Sequence, residues 1–306
     1  ERWLDRMMSV KLPGPGRIRL SPMLGHDGRL KGDLTVLNWG DGIWWIMGSY
    51  YLRAWHMRWF DDHIEDGVAV RDMSDAVVGF GLSGPRSRDL MELVTHEDVS
   101  NEAMRFMACR EMDIGLIRAK VGRISVTGEL GYEIHCPAVE HNLLRRILLE
   151  AGREVGAVEY GFNAMGSLRM EKSFGIWSKE FRQDYTPGMT GMDRWIDWSK
   201  DFVGADAARK EHDEDSAELK LVTLEIDAKD ADGSEYEPVW SDDERVGYVT
   251  SGEYGHVVDK SLALALIDRE HCDVGTELTT HVVGVERPAT VIEPSPYDPT
   301  GSAMRT

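Results

Sequence analysis

Cysteine is scarce in this sequence, and no paired-cysteine motif is present. Among 306 residues only Cys109, Cys136 and Cys272 occur, and no two of them have the C-x-x-C spacing. An odd number of cysteines without that spacing is not the pattern of a disulfide framework or of a zinc site. We therefore expect reduced thiols, no metal, and a cytoplasmic or matrix-like compartment.

Long apolar runs are also missing. No stretch approaches the roughly 18 apolar residues that a membrane-spanning helix requires. The N-terminal stretch ERWLDRMMSVK is charged and amphipathic, unlike a signal peptide. The sequence therefore predicts no membrane partner.

Positive charge is in short supply. The chain has 35 Lys and Arg residues against 54 Asp and Glu residues, a formal net charge of −19. Such a field repels a phosphate backbone, so we expect no nucleic-acid partner. A locally basic pocket can still take an anionic small molecule.

One short motif resembles a dinucleotide-binding fingerprint. GFGLSG at 79–84 matches G-x-G-x-x-G after a strand and before a helix. That fingerprint needs a second strand ending in an acid about 20 residues on, whereas the polar stretch THEDVSNE follows here. Pro85 also crowds the turn. A tight strand-to-helix turn is the favoured interpretation.

Two histidines on one predicted helix are the nearest approach to a metal motif. His56 and His63 lie seven residues apart in the predicted helix 49–64. We place the apolar face of that helix on Leu52, Trp55, Trp59 and Ile64. Facing ligands on one helix normally lie three or four residues apart. We expect a solvated helix face.

The order of predicted elements indicates α+β lobes followed by an all-β unit. Strands are predicted at 17–24, 33–38, 42–48, 122–128 and 131–137, a strand-rich stretch at 68–84, and helices at 86–94, 140–155 and 162–174. An ordered loop is predicted at 184–195. After about residue 217, short strands alternate with turns, which is typical of a small barrel or sandwich. No internal repeat is evident, and a boundary is expected at 212–218.

Two carboxylates are candidate site residues. In TGELGYEIHCP (127–137), Glu133 and His135 should share one strand face, opposite Tyr132 and Ile134. Glu133 is either a surface residue or an acceptor for two parallel N–H donors of a ligand. Asp33, before the apolar stretch LTVL, is either a turn residue or an acid tuned by burial.

The stretch SLRMEKSFGIW (167–177) also allows two interpretations. Arg169, Glu171 and Lys172 lie near Phe174 and Trp177 in the sequence. One interpretation is a helical charge pair with core aromatic residues. The other is an aromatic wall for a flat heterocycle.

Several segments in a fixed order resemble one family over nearly the whole chain. They are GRLKGDLTV, LSGPRSRDL, TGELGYEIH, SLRMEKSFGIW, DYTPGMTGMDRW, DFVGADAARK, RVGYVTSGEYGHVVDKSLALALID and SPYDP. The set resembles the aminomethyltransferase family of the glycine cleavage T-protein. It is most similar to the folate-binding C-terminal part of dimethylglycine and sarcosine dehydrogenases.

The resemblance implies an α+β, three-lobed fold around a channel that holds tetrahydrofolate. A first α+β lobe would cover residues 1–80, with its N-terminal portion missing. A second α+β lobe would cover residues 81–216 and complete the channel. A small C-terminal β-barrel would cover residues 217–306.

The resemblance also implies roles for individual residues. Asp33 would be the catalytic acid beside the folate N5/N10 edge, and Glu133 would hold the pterin ring N–H and amino groups. The remaining folate-binding positions would be Leu34, Thr35, Val126, Ile134, His135, Trp177 and Arg194. Val126 replaces a Tyr that many members have. Leu20 and Met165 depart from the T-protein pattern, which favours a dehydrogenase-type member.

The implied activity is tetrahydrofolate-dependent one-carbon transfer. The methyl-derived carbon of an N-methylated amine of the dimethylglycine or sarcosine type would be captured as 5,10-methylenetetrahydrofolate. Alternatives are demethylation of trimethylamine N-oxide, a sulfonium or an aryl ether, and a folate-binding module without turnover. The partners would be the amine, folate and a flavin or other demethylase module in the same or a partner chain, with FAD only if an upstream flavin domain exists.

Overall fold

The computed structural model describes all residues, 1–306, and confirms the α+β class with a C-terminal barrel. Two antiparallel sheets of three and four strands precede a closed six-stranded barrel. The helices are α1 Arg2–Met7, α2 Arg53–Asp62, α3 Ser87–Val94, α4 His141–Val155, α5 Phe162–Met170, α6 Pro187–Thr190 and α7 Ala205–Glu214. None of them has the length and apolar character that crossing a bilayer requires.

The first sheet is a meander of β1 (Arg17–Leu24), β2 (Leu30–Gly40) and β3 (Ile43–Met47). Strand β2 begins three residues earlier than predicted, because pairing with β1 continues to Leu24 and Leu30. Asp33 therefore lies inside a strand, opposite Pro22, and not at its start.

Helices α1 and α2 cover one face of this sheet. Trp3, Leu4 and Met7 pack with Leu34, Val36 and Phe60 in one apolar cluster. The predicted apolar face of α2 is wrong, because the buried residues of that helix are His56 and Phe60. His56 is 6% exposed, so the predicted solvated position is wrong for it.

The second sheet has the order β4-β7-β6-β5 and is antiparallel throughout. Its strands are β4 Val77–Ser83, β5 Cys109–Ile114, β6 Ile117–Gly122 and β7 Gly131–Pro137. The predicted strand 122–128 is wrong, because β6 ends at Gly122 and residues 126–130 form bends before β7. Of the stretch 68–84, only the β4 residues form a strand.

The two sheets are built alike, which the sequence did not reveal. Helices α3 and α4 pack on one face of the meander β5–β6–β7, as α1 and α2 pack on β1–β2–β3. The order helix, three strands, helix thus occurs twice.

The barrel closes in the order β10-β11-β8-β13-β12-β9. Its strands are β8 Leu219–Ile226, β9 Pro238–Ser241, β10 Glu244–Gly255, β11 Lys260–Asp268, β12 Glu277–Val282 and β13 Val285–Ile292. Fourteen buried apolar residues fill it. The short strand β9 was not predicted, and it completes the barrel between β10 and β12.

Residues after α5 connect the second sheet to the barrel. Glu171 Oε1 accepts hydrogen bonds from the backbone N–H groups of Val257 (2.6 Å) and Val258 (3.0 Å). Lys172 Nζ donates to the carbonyl oxygens of Tyr297 and Asp298. Both side chains are buried, so the predicted helical charge pair is wrong here. The segment 184–195, predicted as an ordered loop, contains α6 and a 3-10 turn.

Candidate functional site

The two sheets turn one face of each toward the other. A Cβ placed on Gly122 of β6 would lie 3.1 Å from Cδ1 of Ile18 on β1. The rings of Trp45 on β3 and His135 on β7 meet edge to face, 5.8 Å apart. Because Trp45 pairs with Leu37 and His135 pairs with Lys120, these contacts identify the two inner faces. We call the space between them the intersheet cleft.

Asp33 belongs to the inner face of the first sheet. It lies two residues from Thr35 and four from Leu37 along β2, so these three side chains point to the same side. Burial raises the pKa of the Asp33 carboxyl to about 7, and the backbone N–H groups of Asp33 and Trp177 partly oppose that shift. An acid with a pKa near neutrality is suited to moving a proton at physiological pH.

Glu133 belongs to the inner face of the second sheet. It shares that face with His135, while Tyr132 and Ile134 are buried in the core on the other side, as predicted. Protein surrounds its carboxyl and raises its pKa, yet the side chain stays 35% exposed. Surrounding protein combined with solvent access describes the wall of a cleft.

Open space adjoins Glu133. Gly81 of β4 pairs directly with Glu133, and a Cβ built on Gly81 would find no atom within 4 Å. Next to it, His135 carries a buried Nδ1 that has no hydrogen-bond partner. A carboxylate acceptor, an unpaired ring nitrogen and free space together fit a planar ligand that carries N–H donors.

Trp177 lies in the loop after α5 and packs against the apolar cluster that contains Leu30 at the start of β2. Its ring lies 6.5 Å from the ring of His56, and its backbone N–H lowers the pKa of the Asp33 carboxyl slightly against the effect of burial. His56 is buried beside Gly32, with Nε2 3.1 Å from the carbonyl oxygen of Lys31. Sequence reasoning missed His56 because a histidine on a charged helix gives no signal of burial.

Some predicted site residues lie elsewhere. The side chains of Leu34 and Ile134 are buried on the outer faces of their strands, in the cores under the helices. Because adjacent strand residues point to opposite sides, these two side chains do not share the strand face of Asp33 and Glu133. Val126 lies in the bends before β7 and is 38% exposed.

Arg194 lies in the 3-10 turn Met192–Trp195. Its guanidinium group lies 4.7 Å from the centre of the Trp195 ring and has no carboxylate partner within ion-pair distance. The structure does not bring Arg194 into contact with Asp33 or Glu133. Its side chain is exposed, although surrounding protein lowers the pKa of the guanidinium.

Lys120 is an inner-face residue that sequence reasoning also missed. Its ammonium group lies 4.7 Å from the ring centre of Trp39 and 5.5 Å from that of Trp45, and it pairs with Glu111. The alternating stretch IRAKVG could have indicated this, because Lys120 falls between the buried positions Ala119 and Val121.

A cavity of about 760 Å³ lies along the free edges of β3 and β4. Of the predicted site residues, Leu34 and His135 line it, and most of its wall is apolar. Asp33 and Glu133 do not belong to its lining. The cavity is therefore a neighbour of the intersheet cleft on the side of His135.

The GFGLSG motif forms a tight strand-to-helix turn, as the sequence predicts. Its residues 79–83 belong to β4, and Gly84 to Arg86 lead into α3. Strand β4 pairs only with β7, and that pairing is antiparallel. A dinucleotide fingerprint requires a parallel βαβ unit, which this segment does not form.

Comparisons with known proteins agree with this architecture. Residues 1–200 match the GCVT N-terminal domain, and residues 220–298 match the glycine cleavage T-protein C-terminal barrel domain. The aminomethyltransferase T of the glycine cleavage system from Bartonella henselae superposes with a TM-score of 0.85 at 20% identity, over 97% of this chain and 81% of that one. That likeness supports the fold alone.

Curated relatives of known name point to the same family. The chain is 29% identical over 297 residues to human mitochondrial dimethylglycine dehydrogenase, covering 95% of this chain and 34% of the relative. It is 29% identical over 295 residues to the aminomethyltransferase of a Geobacillus species, covering 80% of that protein. The chain thus spans about a third of the dehydrogenases that it matches. Because the domain match extends over more than half of its length, the chain belongs to the aminomethyltransferase family of the glycine cleavage T-protein.

Proposed function

We propose that this chain is a tetrahydrofolate-dependent enzyme that captures the methyl-derived carbon of an N-methylated amine. Membership of the aminomethyltransferase family supports the use of folate. The match to dimethylglycine dehydrogenases over 95% of the chain supports an amine of the dimethylglycine or sarcosine type. The single observation that carries the proposal is that the strand faces of Asp33 and Glu133 belong to two sheets that meet through Trp45 and His135.

The residues of the intersheet cleft fit a reduced pterin. Glu133 offers two acceptor oxygens to a ring N–H and an exocyclic amino group. The free space at Gly81 and the unpartnered Nδ1 of His135 allow a flat ring beside that carboxylate. Thr35, on the same face as Asp33, would complete the wall, and the unpaired guanidinium of Arg194 would meet an anionic part of the ligand.

Tetrahydrofolate supplies two nucleophilic nitrogens that take up a one-carbon unit. Asp33 would hold or accept the proton lost from such a nitrogen, for which a pKa of about 7 is suitable. Glu133 would fix the orientation of the pterin so that the reacting edge faces Asp33. Trp177 would exclude water from the carboxyl of Asp33.

A flavin or other demethylase module, in the same polypeptide or a partner, would supply the oxidised carbon unit. This part of the proposal rests on the dimethylglycine dehydrogenase match, of which the present chain spans about a third. FAD belongs to the proposal only through such a module.

Substitution of the acid tests the proposal. Asp33→Asn keeps the shape of the side chain and removes the proton acceptor. We expect production of methylenetetrahydrofolate from formaldehyde and tetrahydrofolate, above the spontaneous rate, to fall by at least about 100-fold. Tetrahydrofolate affinity, measured by anaerobic calorimetry, should change little. Wild-type product formation by this variant would refute the assigned role.

A further inference from the structure

A buried ion pair lies at the base of the loop that carries Trp177. Arg169, in α5, is 2% exposed and Glu180 is fully buried. Arg169 Nη1 lies 3.5 Å from Glu180 Oε2. We call residues 174–180 the Trp177 loop. Removing two charged groups from water has a free-energy cost that their mutual attraction often does not offset. Stability alone therefore does not explain why this pair is buried here.

Both charged groups hold the backbone of the Trp177 loop. Arg169 Nη1 donates to the carbonyl oxygen of Phe174 at 3.1 Å, and Glu180 Oε2 accepts from the N–H of Ile176 at 3.0 Å. These two bonds lie on either side of Gly175. The segment before Trp177 is therefore fixed at two points.

The second carboxylate oxygen attaches the loop to the barrel. Glu180 Oε1 accepts from Thr250 Oγ1 at 2.7 Å and from Ser251 Oγ, both on β10. All these groups are buried. The position of the loop is thus set by the barrel as well as by α5.

The loop has little freedom to adjust. A Cβ on Gly175 would lie 2.6 Å from Cζ of Phe181 and 2.8 Å from Cβ of Glu180. Ser178, directly after Trp177, has a φ of 74°, in the left-handed region that a non-glycine residue rarely adopts. Such a backbone persists only where the surroundings enforce it.

We propose that Glu180 and Arg169 are positioning residues that set Trp177 against Asp33, so that the barrel controls the surroundings of the acid. The inference deepens the proposed function and rests on it. The Glu180 carboxylate, three residues after Trp177, accepts one loop N–H and two barrel hydroxyls, and its partner Arg169 holds a second point of the loop.

Apart from Trp177, few groups stabilise the charged form of the Asp33 carboxyl. The charged form of Asp33 is stabilised by its own backbone N–H and by that of Trp177, and no ionic partner contributes. The ammonium group of Lys31 lies instead over the rings of Trp55 and Trp59 on α2, 5.1 and 5.5 Å from their centres. His56 hydrogen-bonds the carbonyl of Lys31. Displacing Trp177 therefore removes one of two stabilising donors and should raise the pKa of Asp33 further.

A matched pair of variants tests the inference on the full chain. Glu180→Gln weakens the loop anchor. Glu171→Gln is the control, because Glu171 is equally buried and also bonds barrel backbone, but does not hold the Trp177 loop. The carboxyl pKa of Asp33 is measured by 13C NMR, with Asp33→Asn to assign the signal, and the melting temperature is recorded in parallel.

We expect both variants to lower the melting temperature, and only Glu180→Gln to raise the Asp33 pKa, by at least about half a unit. Equal pKa values in the two variants would overturn the inference. If Glu180→Gln does not fold, Thr250→Val removes one bond to Glu180 and should raise the pKa in the same direction, and an unchanged value would again overturn it. The NMR readout does not depend on turnover, so an active Asp33→Asn enzyme would refute the proposed function without touching this result.

Discussion

The indole ring of Trp45 meets the imidazole ring of His135 edge to face, with centroids 5.8 Å apart and planes at 89°. Trp45 lies on the edge strand of the first sheet and His135 on β7 of the second, two residues after Glu133. This contact joins the first sheet to the second at the intersheet cleft. It therefore fixes the strand that carries Glu133 relative to the strand beside Asp33.

Removing the Trp45 ring should loosen that junction. We expect Trp45→Ala to lower the free energy of unfolding by about 2–4 kcal/mol, because a large, partly buried ring is lost. Trp45→Phe keeps an aromatic edge and should cost less than half as much. Urea unfolding of both variants checks this. A Trp45→Ala variant as stable as the wild type would mean that the contact between the two sheets at this ring does not contribute to the free energy of unfolding.

Glu133 should control folate affinity and not turnover. Glu133→Gln keeps the size of the side chain but replaces one acceptor oxygen by an amide donor, so a two-donor pterin edge loses a charge-assisted pair. We expect tetrahydrofolate affinity to fall by about 1.5–3 kcal/mol, or roughly 10- to 150-fold. Anaerobic titration calorimetry measures it. Glu159→Gln, at an exposed ion pair with Arg145, is the control and should bind like the wild type. Equal affinities for the two variants would remove Glu133 from the site.

The raised pKa of Asp33 should appear as a pH dependence of stability. Its carboxyl has a pKa of about 7 in the folded chain, against an ordinary value of 3.8. The folded state therefore holds a proton that the unfolded state has released, and stability falls as the pH rises from about 4 to 7. Asp33→Asn removes this loss. We expect that variant to be more stable than the wild type by about 1–3 kcal/mol at pH 8 and by much less at pH 4.5. Urea unfolding of both proteins at the two pH values measures this. A difference in the free energy of unfolding that is the same at pH 4.5 and pH 8 would contradict the burial of a titrating acid.

The sequence was informative where one physical rule governs a segment. Alternation put Glu133 and His135 on one side of β7 because a strand has a period of two, and the structure agrees. Turn-separated short strands after residue 217 predicted the barrel for the same reason. The family resemblance then supplied the fold that joins these parts.

The sequence failed where tertiary contacts decide. His56 is buried because Gly32 and Gly48 leave room for its ring, and no local pattern contains that information. The buried places of Arg169 and Glu180 depend on β10, which lies some 70 residues further along the chain. The burial of Leu34 and Ile134 in the cores under the helices could not be obtained from the family resemblance, because a family position does not say which way a side chain points.

Two glycines on one strand give the sharpest test of the cleft itself. Gly81 of β4 faces open space opposite Glu133, whereas a Cβ on Gly79 would lie 2.5 Å from the backbone oxygen of Ile134. We expect Gly81→Leu to fold with nearly wild-type stability and to abolish detectable tetrahydrofolate binding, because the side chain fills the space beside Glu133. Gly79→Ala should instead destabilise the chain by roughly 1–3 kcal/mol, since backbone must move to admit the methyl group. Melting curves and anaerobic calorimetry on the two variants separate space for a ligand from space needed for packing. Undiminished folate binding by Gly81→Leu would place the pterin somewhere other than between these two sheets.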